Sequence, residues 1–177
     1  MGWTSSWAWN RKEQIVEHVI SSQMWGENFA ILEHAVRGNR VWVLAEYAKG
    51  ERVGQRFIAL FLLSCHEGEW AYKDMDESCG PCQYDCPISF IKRAREVDAP
   101  IGDYAKEWRE KVIQYHANKN ANRKRKAALK PGMKLQYQRN VYELIEKCRG
   151  RLGWNVRDVA TNNVYRLMSK QVTAAQL

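Results

Sequence analysis

No apolar run in this 177-residue sequence approaches the roughly 20 residues that a helical membrane span needs. The longest, Phe57 to Cys65, has the length of a buried strand. The N-terminus lacks the charged-then-apolar pattern of a secretory leader and holds Trp3, Trp7 and Trp9 instead. A cytoplasmic protein is therefore expected, and its five cysteines are not expected to form a disulfide framework. No internal repeat is present. A local absence says most: between Lys111 and Tyr142 there is no Asp or Glu, while nine Lys and Arg fall there. The net charge is +8, so this stretch alone carries +9 and the remainder −1. Basicity gathered in one place marks an interaction surface rather than a general solubility device.

With 45% hydrophobic and 11% aromatic residues, the chain can bury one sizeable core, or a core with a small appended subdomain. Trp3, Trp7 and Trp9 share a face of an extended segment. Asn10 is expected to open a helix, with Glu13 as its capping-box partner and Ile15, Val16, Val19, Ile20 and Met24 as its apolar face, closed by Gly26. Strands are expected at Phe29–Val36, Arg40–Tyr47 and Val53–Cys65, with a fourth at Glu69–Lys73. The third is apolar on both faces, which suits a central strand covered on both sides.

Pro87 suits the start of a second helix striped by Ile88, Ile91, Ala94 and Val97, capped by Asp85 or Cys86. Asp103 begins a third, lined by Tyr104, Trp108, Val112 and Tyr115. His116–Lys126 reads as a frayed helix end or a linker. Short strands follow at Met133–Tyr137, Val141–Cys148, Trp154–Val159 and Val164–Met168. The expected fold is α+β: an N-terminal antiparallel sheet with packed helices, then a small SH3-like all-β subdomain. The divisions are 1–118, a basic linker at 119–130, the β subdomain at 131–170 and a loose tail at 171–177.

Four of the five cysteines, one histidine and six acidic residues crowd into Cys65–Pro87. Cys79-Gly80-Pro81-Cys82 has the sequence of a thioredoxin redox motif. That chemistry needs a helix starting at the first thiol to lower its pKa, whereas Asp74, Asp76 and Glu77 precede it and Pro87 starts the helix later. Structural zinc is another use of the same atoms: Cys79, Cys82 and Cys86, completed by Cys65 or His66. The paired C-x2-C form is missing, and the alternative is Cys65 and Cys148 as small core residues beside a Gly80-Pro81 turn. The carboxylates also carry two readings. Asp74 and Asp76 share a face in an extended segment, so with Glu77 they could hold Mg2+ for phosphodiester hydrolysis, assisted by His66 or Lys73. The other reading is an acidic turn ion-paired with the basic segment.

Gly2-Trp3-Thr4, the run Trp70-Ala71-Tyr72-Lys73-Asp74-Met75-Asp76-Glu77-Ser78, then Gly80-Pro81-Cys82, Cys86-Pro87 and Trp108-Arg109 resemble an uncharacterised family of bacteria, their plasmids and phages. The resemblance covers roughly residues 1–115 and is most specific across Tyr72–Pro87; Cys79 stands outside its pattern. It implies a mobile-element origin and no assigned activity.

Cations near aromatic side chains neutralise phosphates and stack on bases. Lys119, Arg123, Lys124, Arg125, Lys126, Lys130, Lys134 and Arg139 are the expected nucleic-acid contacts, with Tyr115, Tyr137 and Tyr142 nearby in sequence. The function expected is therefore a non-enzymatic mobile-element protein that binds nucleic acid or a host complex handling it, inhibiting host defence. The alternatives are a metal-dependent enzyme acting on a phosphorylated substrate through Asp74, Asp76 and Glu77, or a zinc-stabilised interaction module.

Overall fold

The computed structural model describes residues 4–21, 28–79, 83–96, 102–149 and 153–175, with backbone alone for 4–8. In chain order the elements are β1 (Thr4–Trp9), α1 (Lys12–Ile20), β2 (Phe29–Arg37), β3 (Arg40–Tyr47), β4 (Arg56–His66), β5 (Glu69–Asp76), α2 (Ile88–Ala94) and α3 (Asp103–Ala128). They continue with β6 (Lys134–Tyr137), β7 (Asn140–Lys147), β8 (Trp154–Asp158), β9 (Val164–Leu167) and α4 (Ser169–Ala174). Two antiparallel sheets result, ordered β1-β5-β4-β3-β2 and β6-β7-β8-β9, so the fold is α+β. The chain divides into two compact units, Met1–His116 and Ala117–Leu177, and α3 supplies residues to both.

The two-faced apolar pattern of β4 organises the first unit. Phe57, Ala59, Phe61 and Leu63 meet Val41, Val43 and Ala45 of β3, with Ile15 and Val19 of α1 over them. The intervening Ile58 and Leu60 meet Trp42 and Leu44, with Phe90, Ile91 and Ala94 of α2 and Trp108 and Val112 of α3 over those. Each fully buried side chain of this size contributes about 1.5–3 kcal/mol. A two-residue turn, Glu67-Gly68, joins β4 to β5 with φ of +51° and +86°. Both positions must be left-handed for the turn to match the strand twist, which is where glycine is most useful.

Several boundaries differ from expectation. The first helix begins at Lys12, and the Arg11 N–H donates to Gln14 Oε1 at 2.9 Å, so Asn10 and Glu13 do not form the cap. Met24, Gly26 and Trp3 lie outside the described residues. Strand β4 starts at Arg56 because the chain turns through Gly50 and Gly54, with φ of +87° and +81°. On α3 the buried stripe is Ala105, Trp108, Arg109 and Val112, while Tyr104 and Tyr115 are exposed.

Residues 119–128 are helical, not a linker. Alanine, lysine and arginine favour helix, and nothing breaks it before Pro131-Gly132. Nor are residues 171–175 a loose tail. Gln171 accepts the Met168 N–H at 2.7 Å, and α4 buries Val172, followed by Ala175, against Leu135, Leu144, Trp154, Val156 and Leu167. At Gly153 (φ +104°) a Cβ would stand 2.0 Å from the Leu167 carbonyl oxygen, so this position admits only glycine.

Candidate nucleic-acid interface

The acidic cluster separates in the fold. Asp74 and Asp76 do share a face of β5, opposite Phe61 and Ala59 of β4. Together with Phe29, Tyr47, Phe57 and Cys79 they line a cavity of about 280 Å³. Asp76 accepts from the Ser78 N–H at 2.8 Å and from its hydroxyl, forming a turn. Glu77 goes elsewhere. It is fully buried and takes a bidentate pair from Arg109, Nε to Oε2 at 2.5 Å and Nη2 to Oε1 at 2.7 Å. The Ile58 N–H donates to Glu77 Oε1 at 2.9 Å, while Arg109 also donates to the Ala94 and Arg56 carbonyls at 3.2 and 3.3 Å. Burial pushes the Glu77 carboxyl above the usual carboxylate range, against the pull of Arg109 and the Ile58 N–H.

Held by Arg109 and the Ile58 N–H inside the protein, Glu77 is a clamp that, through Arg109, ties the end of β5 to α2 and α3. It is neither a metal ligand beside Asp74 and Asp76 nor a partner of the 119–139 cations. His66 is also distant from the aspartates. It is five residues along β4 from Phe61, the partner of Asp74, which is about 16 Å of strand.

The thiols separate in the same way. Cys86 is buried on the face covered by α2 and α3, with Trp42, Ile58 and Phe90, and burial pushes its thiol pKa up. Cys79 is exposed beside Asp76 on the opposite face. Cys65 is six residues along β4 from Ala59, the partner of Asp76, or about 20 Å of strand. Cys82 lies outside the described residues. Among the described residues no three His, Cys, Asp or Glu side chains gather as a metal site. The expected Cys65, Cys79 and Cys86 ligands therefore do not converge. The two faces of the sheet and the length of β4 hold them apart.

The basic residues do come together. Ala117–Leu177 holds fourteen Lys and Arg against three acids, Glu143, Glu146 and Asp158, a net +11; Met1–His116 holds fourteen against seventeen, a net −3. Asp158 is buried and caps its turn by accepting from the Ala160 and Thr161 N–H groups at 2.8 and 3.1 Å. Glu146 accepts from Asn155 at 2.8 Å. Leaving Lys119 aside, no described cation of this unit forms an ion pair with another described residue.

On α3, Lys119, Arg123 and Lys126 follow i, i+4, i+7 spacing and form one exposed stripe. Like charges at these separations weaken a helix by a few tenths of a kcal/mol per pair. Lys124 and Lys130 are exposed as well, while Arg125 is half-buried, its Nε enclosed without an acceptor. Arg139 is exposed in the β6–β7 turn, and Lys134 stands opposite Glu143 across the strand pair. Lys111 belongs to the first unit and pairs with Glu107 at 2.5 Å.

Six further cations beyond Tyr142, including Lys147 and Arg157, were not part of the sequence-derived set. The small number of acids among them was the available signal. Among the described residues no helix is long and apolar enough to cross a membrane. Compared with protein-family models, curated proteins and solved structures, the chain matches none of them.

Proposed function

We propose that the protein binds nucleic acid non-enzymatically through the cations of its second unit, chiefly Lys119, Arg123, Lys124, Lys126 and Lys130 with support from Arg125, Lys134 and Arg139. One observation carries the reading: a 61-residue unit of net charge +11 in which, Lys119 aside, no described cation forms an ion pair with a described residue. Such a surface condenses onto a polyanion by releasing its counterions. The four-stranded meander beneath it is read as an SH3-like partial barrel, opened out by the bulge in β7 between Leu144 and Glu146. The mobile-element resemblance of residues 1–115 makes a host nucleic-acid-handling complex in the cytoplasm the setting of this binding, and interference with host defence its role.

The test is fluorescence anisotropy with labelled single- and double-stranded DNA and RNA at low salt. Simultaneous Arg123→Glu, Lys124→Glu and Lys126→Glu changes should weaken binding by about 100-fold or more. They should leave thermal stability nearly unchanged, because these side chains are exposed. Affinity within twofold of the parent protein would overturn the proposal.

A further inference from the structure

The second unit also contains a cavity of about 390 Å³, within the size range of small-molecule sites. Lys126 and Lys147 reach it from different elements, the end of α3 and the end of β7. Lys147 is the cross-strand partner of Trp154, which is only 7% exposed and whose indole N–H donates to no described residue. Leu129 and Val172 supply the apolar part of the wall. Thr173 is already committed, its hydroxyl donating to the Ser169 carbonyl at 2.7 Å.

Two lysines that form no ion pair with a described residue line the cavity beside the apolar Leu129 and Val172 and the Trp154 ring, with Ser169 and Thr173 completing the wall. That combination asks for an anion attached to a flat apolar body. A phosphate alone would satisfy the lysines and leave most of the volume empty. We propose that this cavity binds a phosphomonoester carried on a nucleoside, either a free nucleoside 5′-monophosphate or the 5′-phosphorylated end of a strand. The inference deepens the nucleic-acid reading and, for the strand end, rests on it. The exposed stripe of α3 would follow the backbone, while the cavity would read a terminus.

The experiment compares a 5′-phosphorylated single-stranded oligonucleotide with its 5′-hydroxyl twin, and adds adenosine 5′-monophosphate as a separate probe. Binding is read by anisotropy and by 19F NMR of protein labelled with 5-fluorotryptophan. Trp154 is the only tryptophan in Ala117–Leu177 and its signal is assigned from Trp154→Phe. The phosphorylated strand should bind about tenfold tighter, as charge-assisted hydrogen bonds to a dianion imply. It should also move the Trp154 signal. Lys147→Ala should abolish the preference and leave the 5′-hydroxyl strand within twofold.

A shift with the mononucleotide but not with the strand end identifies the free nucleotide as the source. If the twins bind alike and neither probe moves the signal, the cavity inference is overturned and the surface reading stands. If no strand binds at all, the surface reading falls, and the mononucleotide alone decides the cavity by moving the Trp154 signal or failing to.

Discussion

In Met1–His116 cations and carboxylates are nearly balanced and seek each other out. Arg40 pairs with Asp85, Arg56 with Glu46 and Glu96, Arg93 with Glu33, Arg95 with Glu110, and Arg109 with Glu77. Four of these cations bind carboxylates far away in sequence, so charge there helps to fix loops and helices onto the sheet. In Ala117–Leu177 the apolar cluster around Leu135, Leu144, Trp154 and Val156 closes without charge, and the cations stand outside it. Nothing in that core requires a net +11, and self-repulsion weakens a compact unit that carries it. The first unit uses charge to hold itself together, whereas under the proposed function the second keeps its charge for a partner. A bound polyanion should therefore stabilise the second unit by mass action and leave the first little changed.

The largest effect that bears on this contrast comes from the clamp. Glu77→Gln keeps the side-chain shape but leaves Arg109 buried without a counter-charge. Breaking a buried pair from one side costs about 3–5 kcal/mol. Urea denaturation should register that loss in the first unit, while the Trp154 signal of the second keeps its own midpoint. Glu77→Leu combined with Arg109→Met should cost less than Glu77→Gln alone, because no buried charge is stranded. A Glu77→Gln protein within 1 kcal/mol of the parent would mean that charge does not hold the first unit together.

The salt dependence of binding sharpens the other half of the comparison. With about five cations on phosphates, the log–log slope of affinity against salt should be about −4. Raising salt from 50 to 200 mM should then weaken binding by about 100–500-fold. A slope near zero would show that contacts other than the unpaired cations dominate, and the proposed purpose of the second unit would be lost.

Stability of the second unit can be lowered without touching charge. Gly153→Ala drives a Cβ into the Leu167 carbonyl at a backbone angle that other residues rarely adopt. Overpacking of this kind costs about 1–3 kcal/mol, sometimes more. The loss should appear in the Trp154 signal and not in the melting of the first unit. Equal loss in both units would show that they unfold as one, and their separate electrostatic behaviour would need another account.

Much of the framework was legible because periodicity reports burial directly. The double-sided apolar run of β4, the start of α3 at Asp103 and all four strands of the second sheet follow from it. The C-terminal half of α3 has no apolar stripe, so the pattern that reveals helices elsewhere is silent, and only residue propensity supports it. The basic band could be read because a run of like charge stays together however the backbone folds.

Glu77 could not be read correctly, since its partner is 32 residues away and only the packing of α3 on the sheet brings them together. Two fragments that the resemblance presents separately, the Tyr72–Pro87 run and Trp108-Arg109, meet in that clamp. The sequence hid the Lys147–Trp154 pairing for a related reason. The irregularity between Leu144 and Glu146 shifts the β7–β8 register and decides which residues face each other.

The smallest expected effect isolates burial as the variable. Glu33 and Arg93 form an ion pair as Glu77 and Arg109 do, and likewise join a strand to a helix. Their side chains, however, keep 39% and 36% of their exposure, against 0% and 3% in the clamp. Water solvates either partner once the other is removed, so Glu33→Ala should cost about 0–1 kcal/mol and lose even that at high salt. Measured by urea denaturation beside Glu77→Gln, it separates the presence of a charge pair from the desolvation that makes one indispensable. Should Glu33→Ala destabilise the first unit as severely as Glu77→Gln, enclosure would not be what distinguishes the pairs. The stability of this unit would then have to be assigned to its whole charge pattern rather than to the Glu77–Arg109 clamp.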